Sequence, residues 1–277
     1  MDNYSVLMSV YYKEKPDFLE MSIQSMIDQT IPPNDIVIVC DGKLTDKLYE
    51  VINNYKDLHD DIFTIVQLNE NKGQGIALRI GIEYCKNSFI ARMDSDDISF
   101  PNRCEIQLKY LRNGIDIVSA AVEEFSGDIS NITGVRSLPE NHEEIIKFSK
   151  HRNPFNHPCI MFRKEAVIKA GNYQEFYLYE DYYLWIRMIY SGAIGYNVQD
   201  PLLFMRAGSE MYKRRGGYKY FRSSVKFQRY LYKNQIIGKP TYIYNLFIRF
   251  CVQVMVPNNL RGKIFGTFMR NRADNVI

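Results

Sequence analysis

Residues 89–97 read FIARMDSDD, an apolar strand pattern that runs directly into a cluster of carboxylates. Similar apolar runs precede this segment at residues 4–12, 36–40 and 63–68. Helical patterns separate the runs at residues 16–29, 45–55 and 73–85. Continuous apolar strands that alternate with helices are typical of a mostly parallel sheet with helices on both faces. The first hundred residues therefore predict an α/β fold.

Length and composition are those of a folded chain. The 277 residues are 46% hydrophobic and 24% charged, which excludes a largely disordered protein. The five cysteines show no CxxC spacing, so neither a disulfide framework nor a zinc site is indicated. The opening MDNYSVLMSVYY has no signal-peptide pattern, and no stretch reaches the roughly 20 apolar residues of a membrane span. These features favour a cytoplasmic protein.

Charge is distributed unevenly along the chain. Residues 211–277 contain 14 lysines and arginines against one acidic residue, whereas residues 1–210 contain 21 against 31. A basic tail on an acidic body suggests contact with nucleic acid, an anionic membrane surface or a phosphorylated substrate. The contrast predicts a folded domain at residues 1–210 and a basic C-terminal region at residues 211–277.

The basic tail contains two helical patterns. A basic stripe recurs at steps of three and four residues, at Lys219, Arg222, Lys226, Arg229 and Lys233. Polar residues then step by four through an apolar run, at Thr241, Asn245, Arg249 and Gln253. Because this second helix is apolar over most of its circumference, it is either buried against the body or lies in a membrane interface. The positive charge favours the membrane interface.

The carboxylates Asp94, Asp96 and Asp97 directly follow the strand at residues 89–93. In parallel sheets, ligands bind at the carboxyl ends of the strands. Neighbouring carboxylates repel one another, and a cation relieves that repulsion. Oxygen ligands suit Mg²⁺ or Mn²⁺, which would share its coordination with phosphate oxygens. The alternative is an acidic turn that caps the helix beginning near Pro101.

Two further signals belong to the same predicted edge of the sheet. Asp41 follows the strand at residues 36–40, where it is either a site residue or a cap. The turn NKGQG at residues 71–75 opens a helix and offers backbone N–H groups and Lys72 to an anion. It lacks the spacing of a phosphate-binding loop or a dinucleotide-binding loop, so by itself it is a weak signal.

Residues 156–181 contain the remaining candidates. Glu180 and Asp181 open an apolar helix, where an acidic pair is either part of a site or a cap favoured by the helix dipole. His157, in the tripeptide NHP before an apolar strand, is the histidine that we expect to face a site.

Five motifs, in this order, resemble those of the inverting family 2 glycosyltransferases. They are SVLMSVYYKEKPDFLEMSIQSMIDQT at residues 5–30, VIVCDG at 37–42, NKGQGIALRIGI at 71–82, ARMDSDDISFPNR at 91–103 and the ED of YEDYYLWIRM at 179–188. The match spans about residues 4–206. The fourth motif, the segment NPFNHPCIMFRKE at 153–165 and the basic tail look most like the bacterial branch that builds capsule, O-antigen and exopolysaccharide repeat units.

This resemblance implies a GT-A fold, with a nucleotide-sugar-binding half at residues 1–100 and an acceptor-binding half at residues 101–210. It also implies a UDP-sugar donor and a divalent cofactor, Mn²⁺ or Mg²⁺. Asp41 would accept a hydrogen bond from the uracil ring. Asp94 and Asp96 would form the DxD pair, with Asp96 as the direct metal ligand and Asp94 nearer the ribose or a metal-bound water.

The resemblance implies roles for the other candidates as well. Asp181 would be the general base, with Glu180 beside it. Further donor contacts are expected from Lys72, Gly73, Arg79 and Arg92. Contacts with the acceptor or the diphosphate are expected from His157, Arg206 and Arg214. The sequence departs from the commoner pattern at Cys40, in place of an aspartate, and at Arg79, in place of an asparagine.

Together these assignments predict an inverting hexosyltransferase of the EC 2.4.1 class, which moves galactose or glucose from UDP to a sugar on undecaprenyl diphosphate in surface polysaccharide synthesis. The acceptor would lie in the cytoplasmic leaflet, so the basic tail is expected to hold the enzyme peripherally at the inner face of the bacterial plasma membrane. No nucleic acid partner is expected. The alternatives are a catalytically silent membrane-associated scaffold or glycan-binding protein, and a nucleotidyltransferase. A nucleotidyltransferase normally has a glycine-rich loop after its first strand, whereas residues 11–15, YYKEK, contain no glycine.

Overall fold

The computed structural model describes residues 3–207 and 216–256. The strands are β1 (Ser5–Val10), β2 (Asp35–Cys40), β3 (Phe63–Gln67), β4 (Phe89–Asp94), β5 (Ile98–Ser99), β6 (Ile117–Phe125), β7 (Ile132–Arg136), β8 (Met161–Arg163) and β9 (Gly195–Arg206). The helices are α1 (Pro16–Ile27), α2 (Asp46–Leu58), α3 (Gln74–Tyr84), α4 (Arg103–Arg112), α5 (His142–Ser149), α6 (Lys164–Lys169), α7 (Glu180–Tyr190), α8 (Tyr218–Lys233) and α9 (Lys239–Phe250). A 3-10 turn spans His157–Cys159, and a π-helical turn, Cys251–Met255, follows α9.

These strands form one sheet in the order β3-β2-β1-β4-β8-β6-β9-β5, with β7 paired to β6. The first four strands are parallel, as the alternation of apolar runs and helices predicts. β8 pairs antiparallel with both β4 and β6, and β6 runs parallel to β9. The α/β prediction is therefore confirmed. Two of the antiparallel members, β5 and β8, are only two and three residues long, too short for a periodic signal in the sequence.

Both faces of the parallel half are covered by helices, because alternate strand residues point to opposite sides of a sheet. Val6 and Met8 of β1 belong to a core that α1, α2 and α4 cover. Leu7, between them, belongs to a second core under α3 and α7, which contains Leu78 and Trp185. Burial on both faces explains why these strands read as unbroken apolar runs.

The second half of the sheet returns the chain to the acidic turn that follows β4. β5 begins directly after Asp97, and its Ile98 pairs with Phe204 of β9. Arg206 ends β9 two residues later, and its backbone N–H donates a hydrogen bond to the Asp97 carboxylate over 2.8 Å. The tertiary fold therefore joins two segments that are more than a hundred residues apart in the sequence.

Helices α8 and α9 belong to the predicted basic C-terminal region. Phe227 and Leu231 of α8 form a third core with Tyr179, Tyr182 and Ile186, which lie in or next to α7. Within residues 3–207 and 216–256, no helix is long and apolar enough to cross a membrane. The predicted boundary after residue 210 lies outside the described residues, and the proposed division at residue 100 falls within one continuous sheet.

Gly81 sets the distance between α3 and the sheet, and its replacement tests this packing. A Cβ at this position would clash with Leu7 and would lie 2.8 Å from Cγ2 of Val39. We expect Gly81→Ala to lower the free energy of unfolding by about 1–3 kcal/mol, because the helix must shift away from β1 and β2. Urea denaturation measures the change. Glu83→Ala, at an exposed position of the same helix, is the control and should stay within about 0.5 kcal/mol of wild type. Equal midpoints for Gly81→Ala and wild type would contradict this description of the packing.

Candidate active site

Asp41 lies directly after β2, and its buried carboxylate binds the backbone of a neighbouring turn. One oxygen accepts a hydrogen bond from the N–H of Lys72 over 2.7 Å, and the other accepts one from the N–H of Gly73 over 3.0 Å. Gly42 follows with φ at +82°, and a Cβ there would lie 2.6 Å from the backbone nitrogen of Asn71. Asp41 therefore holds the turn at residues 71–75 against the end of β2.

The same turn contacts the end of β4. Gly73, with φ at +86°, precedes α3, and the side-chain amide of Gln74 donates a hydrogen bond to Oδ1 of Asp94 over 2.9 Å. Backbone N–H groups at a helix N-terminus attract anions, so this edge of the sheet favours a phosphate group. Asp41 and Asp94 thus lie at the same edge, as their positions after parallel strands predict.

Asp94 also forms an ion pair with a buried arginine. Both terminal nitrogens of Arg92 donate to its carboxylate, one of them over 2.6 Å. Arg92 is 1% exposed, so its guanidinium lies in the interior, and from there it binds the Asp94 carboxylate at the end of β4. Although burial opposes the charge, the attraction and hydrogen bonds of Asp94 raise the pKa of Arg92 above its ordinary value. The predicted contact of Arg92 with the donor stays a prediction.

Asp96 and Asp97 place two further carboxylates close to Asp94. Burial, followed by repulsion from Asp94 and Glu14, raises the pKa of Asp96 to about 7. Burial and repulsion from Asp96 raise the pKa of Asp97 well above its ordinary value. Arg206 offsets part of this negative charge. Its Nε donates a hydrogen bond to the backbone oxygen of Asp96 over 3.0 Å, and its positive charge favours the carboxylate form of Asp96.

These residues fit a divalent ion that shares its ligands with a substrate. Among the residues that the structure describes, no group of three or more histidines, cysteines, aspartates or glutamates is arranged to hold a metal without other ligands. An ion bound through diphosphate oxygens needs fewer protein ligands. The Asp96 carboxylate receives no side-chain hydrogen bond from the described residues, and Mg²⁺ and Mn²⁺ prefer such hard oxygen donors.

The Glu180–Asp181 pair begins α7 and lies against the beginning of α3. A Cβ at Gly75 would lie only 3.1 Å from Cβ of Glu180. Asp181 accepts hydrogen bonds from the side-chain amide of Asn153 over 2.7 Å and from the N–H of Tyr182 over 2.6 Å. Burial, together with the charge of Asp181, raises the pKa of Glu180 to about 7. The fold therefore brings the acidic pair to the turn that Asp41 and Asp94 also contact.

His157 lies in an aromatic cluster next to this pair. Its Nε2 is 2.8 Å from the hydroxyl of Tyr173, and its ring packs against Trp185 with centroids 5.8 Å apart. Burial and the nearby charge of Arg92 lower the pKa of His157 well below its ordinary value, so the imidazole is neutral at physiological pH. Its predicted contact with the acceptor or diphosphate stays a prediction.

The remaining cationic candidates have different surroundings. Lys72 is exposed, with its amino group 3.9 Å from the Glu70 carboxylate, and Arg79 is exposed on α3. The guanidinium of Arg206 stacks on the rings of Phe18 and Phe125, whose centroids are 3.6 Å and 4.5 Å away. Arg214 lies outside the described residues.

Three polar contacts at the site were not predicted from the sequence. Gln74 binds Asp94, Asn153 binds Asp181, and Tyr173 binds His157. Gln74 lies in the motif NKGQG and Asn153 in the segment NPFNHPCIMFRKE, so their positions in these segments could have identified them as site residues. No comparable signal marks Tyr173, because its hydrogen bond to His157 depends on the tertiary fold, in which both rings pack against Trp185 of α7.

Comparison with known proteins identifies the family to which this chain belongs. The family model described as glycosyl transferase family 2 matches residues 5–171. The chain is 38% identical over 270 residues to the UDP-Gal:alpha-D-GlcNAc-diphosphoundecaprenol beta-1,3-galactosyltransferase of Escherichia coli, with 96% of each chain covered. It is 40% identical over 228 residues to the amylovoran biosynthesis glycosyltransferase AmsE of Erwinia amylovora, with 82% of this chain and 84% of the relative covered.

The fold has a counterpart among solved structures. The mannosyltransferase PcManGT of Pyrobaculum calidifontis, in complex with GDP-Man and Mn²⁺, superposes with a TM-score of 0.60 at 15% identity, over 93% of this chain and 71% of that one. The predicted family, its bacterial polysaccharide branch, the predicted fold and the predicted glycosyltransferase activity are thereby confirmed. Because the family model covers more than half of the chain and both relatives match most of their own length, the chain belongs to glycosyl transferase family 2 and has the GT-A fold.

Proposed function

We propose that the protein is an inverting, metal-dependent hexosyltransferase that moves a hexose from UDP to a sugar on a polyprenyl diphosphate in surface polysaccharide synthesis. The observation that carries this proposal is the series of direct contacts that joins Asp41, the turn at residues 71–75, Asp94 and the Glu180–Asp181 pair. The E. coli relative is named for transfer from UDP-Gal to GlcNAc on diphosphoundecaprenol, which supports this donor and acceptor class. Galactose is therefore our first choice of hexose, and glucose is the second.

The donor is assigned to residues 1–100 and the acceptor to residues 101–210. Each oxygen of Asp41 accepts one backbone N–H, and since a carboxylate oxygen can accept more than one hydrogen bond, Asp41 can also bind the uracil N–H. The beginning of α3 attracts the diphosphate. Lys72 and Arg79 offset its negative charge, whereas Arg92 contributes by holding Asp94 in place.

Asp96 and Asp94 would hold Mn²⁺ or Mg²⁺, with Asp96 as the direct ligand. When bound, the ion neutralises the negative charge that develops on UDP as it leaves. The raised pKa of Asp96 supports this assignment, because a carboxylate that burial and repulsion destabilise gains from a cation. Arg206 adds a positive charge on the same side, where it already favours the carboxylate form of Asp96.

Asp181 is proposed to be the general base. The oxygen of the acceptor hydroxyl attacks the anomeric carbon as the bond to the UDP oxygen breaks, and the proton passes to the Asp181 carboxylate. Hydrogen bonds from Asn153 and from the N–H of Tyr182 orient that carboxylate. Because Glu180 has a pKa of about 7, it holds a proton in part of the population at neutral pH, which reduces repulsion within the pair. Attack opposite the leaving group inverts the anomeric configuration.

A polyprenyl-linked acceptor would place the enzyme peripherally at the cytoplasmic face of the bacterial membrane. The two alternatives from the sequence find less support. Membership in a glycosyltransferase family favours catalysis over a silent scaffold, and the segment after β1, at residues 11–15, contains no glycine with which to build the phosphate loop of a nucleotidyltransferase.

A panel of UDP-sugars tests the proposed reaction. We expect one UDP-hexose to be consumed in the presence of Mn²⁺ and a synthetic lipid-diphosphate monosaccharide. The product should gain one hexose by mass and show the anomeric proton coupling of a β-linked sugar, because displacement inverts the α-linked donor. Retention of the anomeric configuration, or no turnover with any UDP-hexose, would contradict the proposal.

Asp181→Asn tests the general base. The amide keeps the shape of the carboxylate but cannot take the proton, so we expect the transfer rate to fall by about 10²–10⁴ while UDP binding, measured by calorimetry, is retained. Asp200→Asn, at an exposed position on β9, is the matched control and should transfer sugar at the wild-type rate. A wild-type rate for Asp181→Asn would remove this residue as the base.

Asp96→Ala tests the metal site. Titration with UDP in the presence and absence of Mn²⁺ should show that wild type binds UDP more tightly with the ion and that the variant loses this difference. The reason is that the variant lacks the carboxylate that would bind the ion shared with the diphosphate. Asp60→Ala, an exposed carboxylate outside the site, should keep the Mn²⁺ effect. An undiminished Mn²⁺ effect in Asp96→Ala would refute its role as a ligand.

A further inference from the structure

Helix α9 buries polar side chains against the protein and exposes large apolar side chains to solvent. Asn245 is 2% exposed and Gln253, in the following turn, is 7% exposed. On the other side, Phe247 is 63% exposed and Met255 is 66% exposed. An ordinary surface helix has the opposite arrangement, with its apolar stripe on the core.

Specific hydrogen bonds fix this orientation. The side-chain amide of Asn245 donates to the backbone oxygen of Lys150 over 2.9 Å and to Oε1 of Gln228 over 2.8 Å. Arg249 donates to the backbone oxygen of His151 over 2.6 Å. Rotation of α9 about its axis would break these contacts and leave buried polar groups without partners, so the apolar side must face outward.

The outward side forms a continuous apolar face along α9 and the turn that follows it. We call it the apolar face of α9, and its members are Ile243, Tyr244, Phe247, Ile248, Phe250, Val254 and Met255. Such exposed apolar patches mark sites of contact with a protein or a membrane.

The net positive charge of the segment that contains α8 and α9 distinguishes between these two partners. Residues 216–256 contain seven lysines and arginines and no acidic residue. The basic stripe of α8 is exposed to solvent, at Lys219, Arg222, Lys226, Arg229 and Lys233. A second copy of the chain would bring two such positive surfaces together, whereas an anionic lipid surface would neutralise one.

The length of the helix determines how it can meet a bilayer. α9 and the π-helical turn together span 17 residues, from Lys239 to Met255, which is roughly 25 Å at 1.5 Å per residue. The bilayer core is about 30 Å thick, and no helix within the described ranges is suited to cross it. An amphipathic helix of this kind lies in the plane of the interface.

We propose that the apolar face of α9 inserts into the interface of an anionic bilayer, with the basic stripe of α8 contributing electrostatic attraction. This inference deepens the proposed function and rests on it for the identity of the membrane, which is the one that contains the polyprenyl-linked acceptor. Insertion by α9 would hold the enzyme at the lipid surface through residues that lie outside the proposed catalytic site.

Vesicle flotation of the full-length protein tests the insertion. Wild type should float with vesicles of phosphatidylethanolamine and phosphatidylglycerol, and binding to phosphatidylcholine vesicles should be weaker. Phe247→Glu should reduce partitioning into the anionic vesicles roughly tenfold to a hundredfold, the effect of losing one buried phenylalanine side chain. Leu58→Glu is the matched control, because Leu58 is 75% exposed at the end of α2, and it should float like wild type.

A fluorescence measurement separates insertion from electrostatic adsorption. The chain contains a single tryptophan, Trp185, which is buried and gives a constant background. In Phe247→Trp, the emission should shift to shorter wavelength when anionic vesicles are added, and brominated lipids should quench the new signal. An unshifted spectrum with vesicle-bound protein would show adsorption without insertion and would overturn the proposal.

Two other outcomes would overturn it. One is that Phe247→Glu floats as well as wild type. The other is that wild type does not float but sediments as a dimer that Phe247→Glu converts to a monomer, which would identify a second copy as the partner. An assay of sugar transfer to an acceptor with a short, water-soluble lipid chain distinguishes a failure of the proposed function from a failure of the inference about α9. If wild type transfers no sugar while Phe247→Glu still loses flotation, the proposed function fails and the inference about α9 stands.

Discussion

The ion pair between the buried Arg92 and the partly exposed Asp94 is the interaction on which the site depends. Asp94, Asp96 and Asp97 crowd the end of β4, and burial and mutual repulsion raise the pKa values of the last two. The interior guanidinium offsets part of this negative charge without occupying the surface where a substrate would bind. An arginine suits this position because its planar group matches a carboxylate and stays charged when buried. Burial, followed by this same positive charge, lowers the pKa of His157.

The turn at residues 71–75 connects the parts of the site. Asp41 binds its backbone, its Gln74 binds Asp94, and its Gly75 allows the close approach of Glu180. Five residues thereby relate the ends of β2 and β4 to the beginning of α7. A rigid relation of this kind matters for the proposed inverting transfer, in which the base and the leaving group lie on opposite sides of one carbon atom.

The C-terminal helices extend this arrangement to a surface. The aromatic core that α8 forms with Tyr179 and Tyr182 lies next to the Glu180–Asp181 pair, so the basic stripe and the apolar face of α9 are attached to the helix that carries the proposed base. Asn245 and Arg249 tie α9 to residues 150–151 of the same body. A bilayer bound at α9 would therefore meet this body in a defined orientation.

The amino-acid sequence is enough to predict the parallel half of the sheet, the family and the edge at which Asp41, Asp94 and Asp96 lie, because buried strands and motif order are local patterns. The three-dimensional fold was needed to find the pairing of Arg92 with Asp94, the contact of Asn153 with Asp181 and the return of Arg206 to the acidic turn. The orientation of α9 is the clearest case. Four-residue steps at Asn245, Arg249 and Gln253 indicate a polar and an apolar face of a helix, but they do not show which face packs against the protein. That choice follows from hydrogen-bond partners that are distant in the chain, such as the backbone of Lys150, because a buried polar side chain is stable only where the fold supplies them.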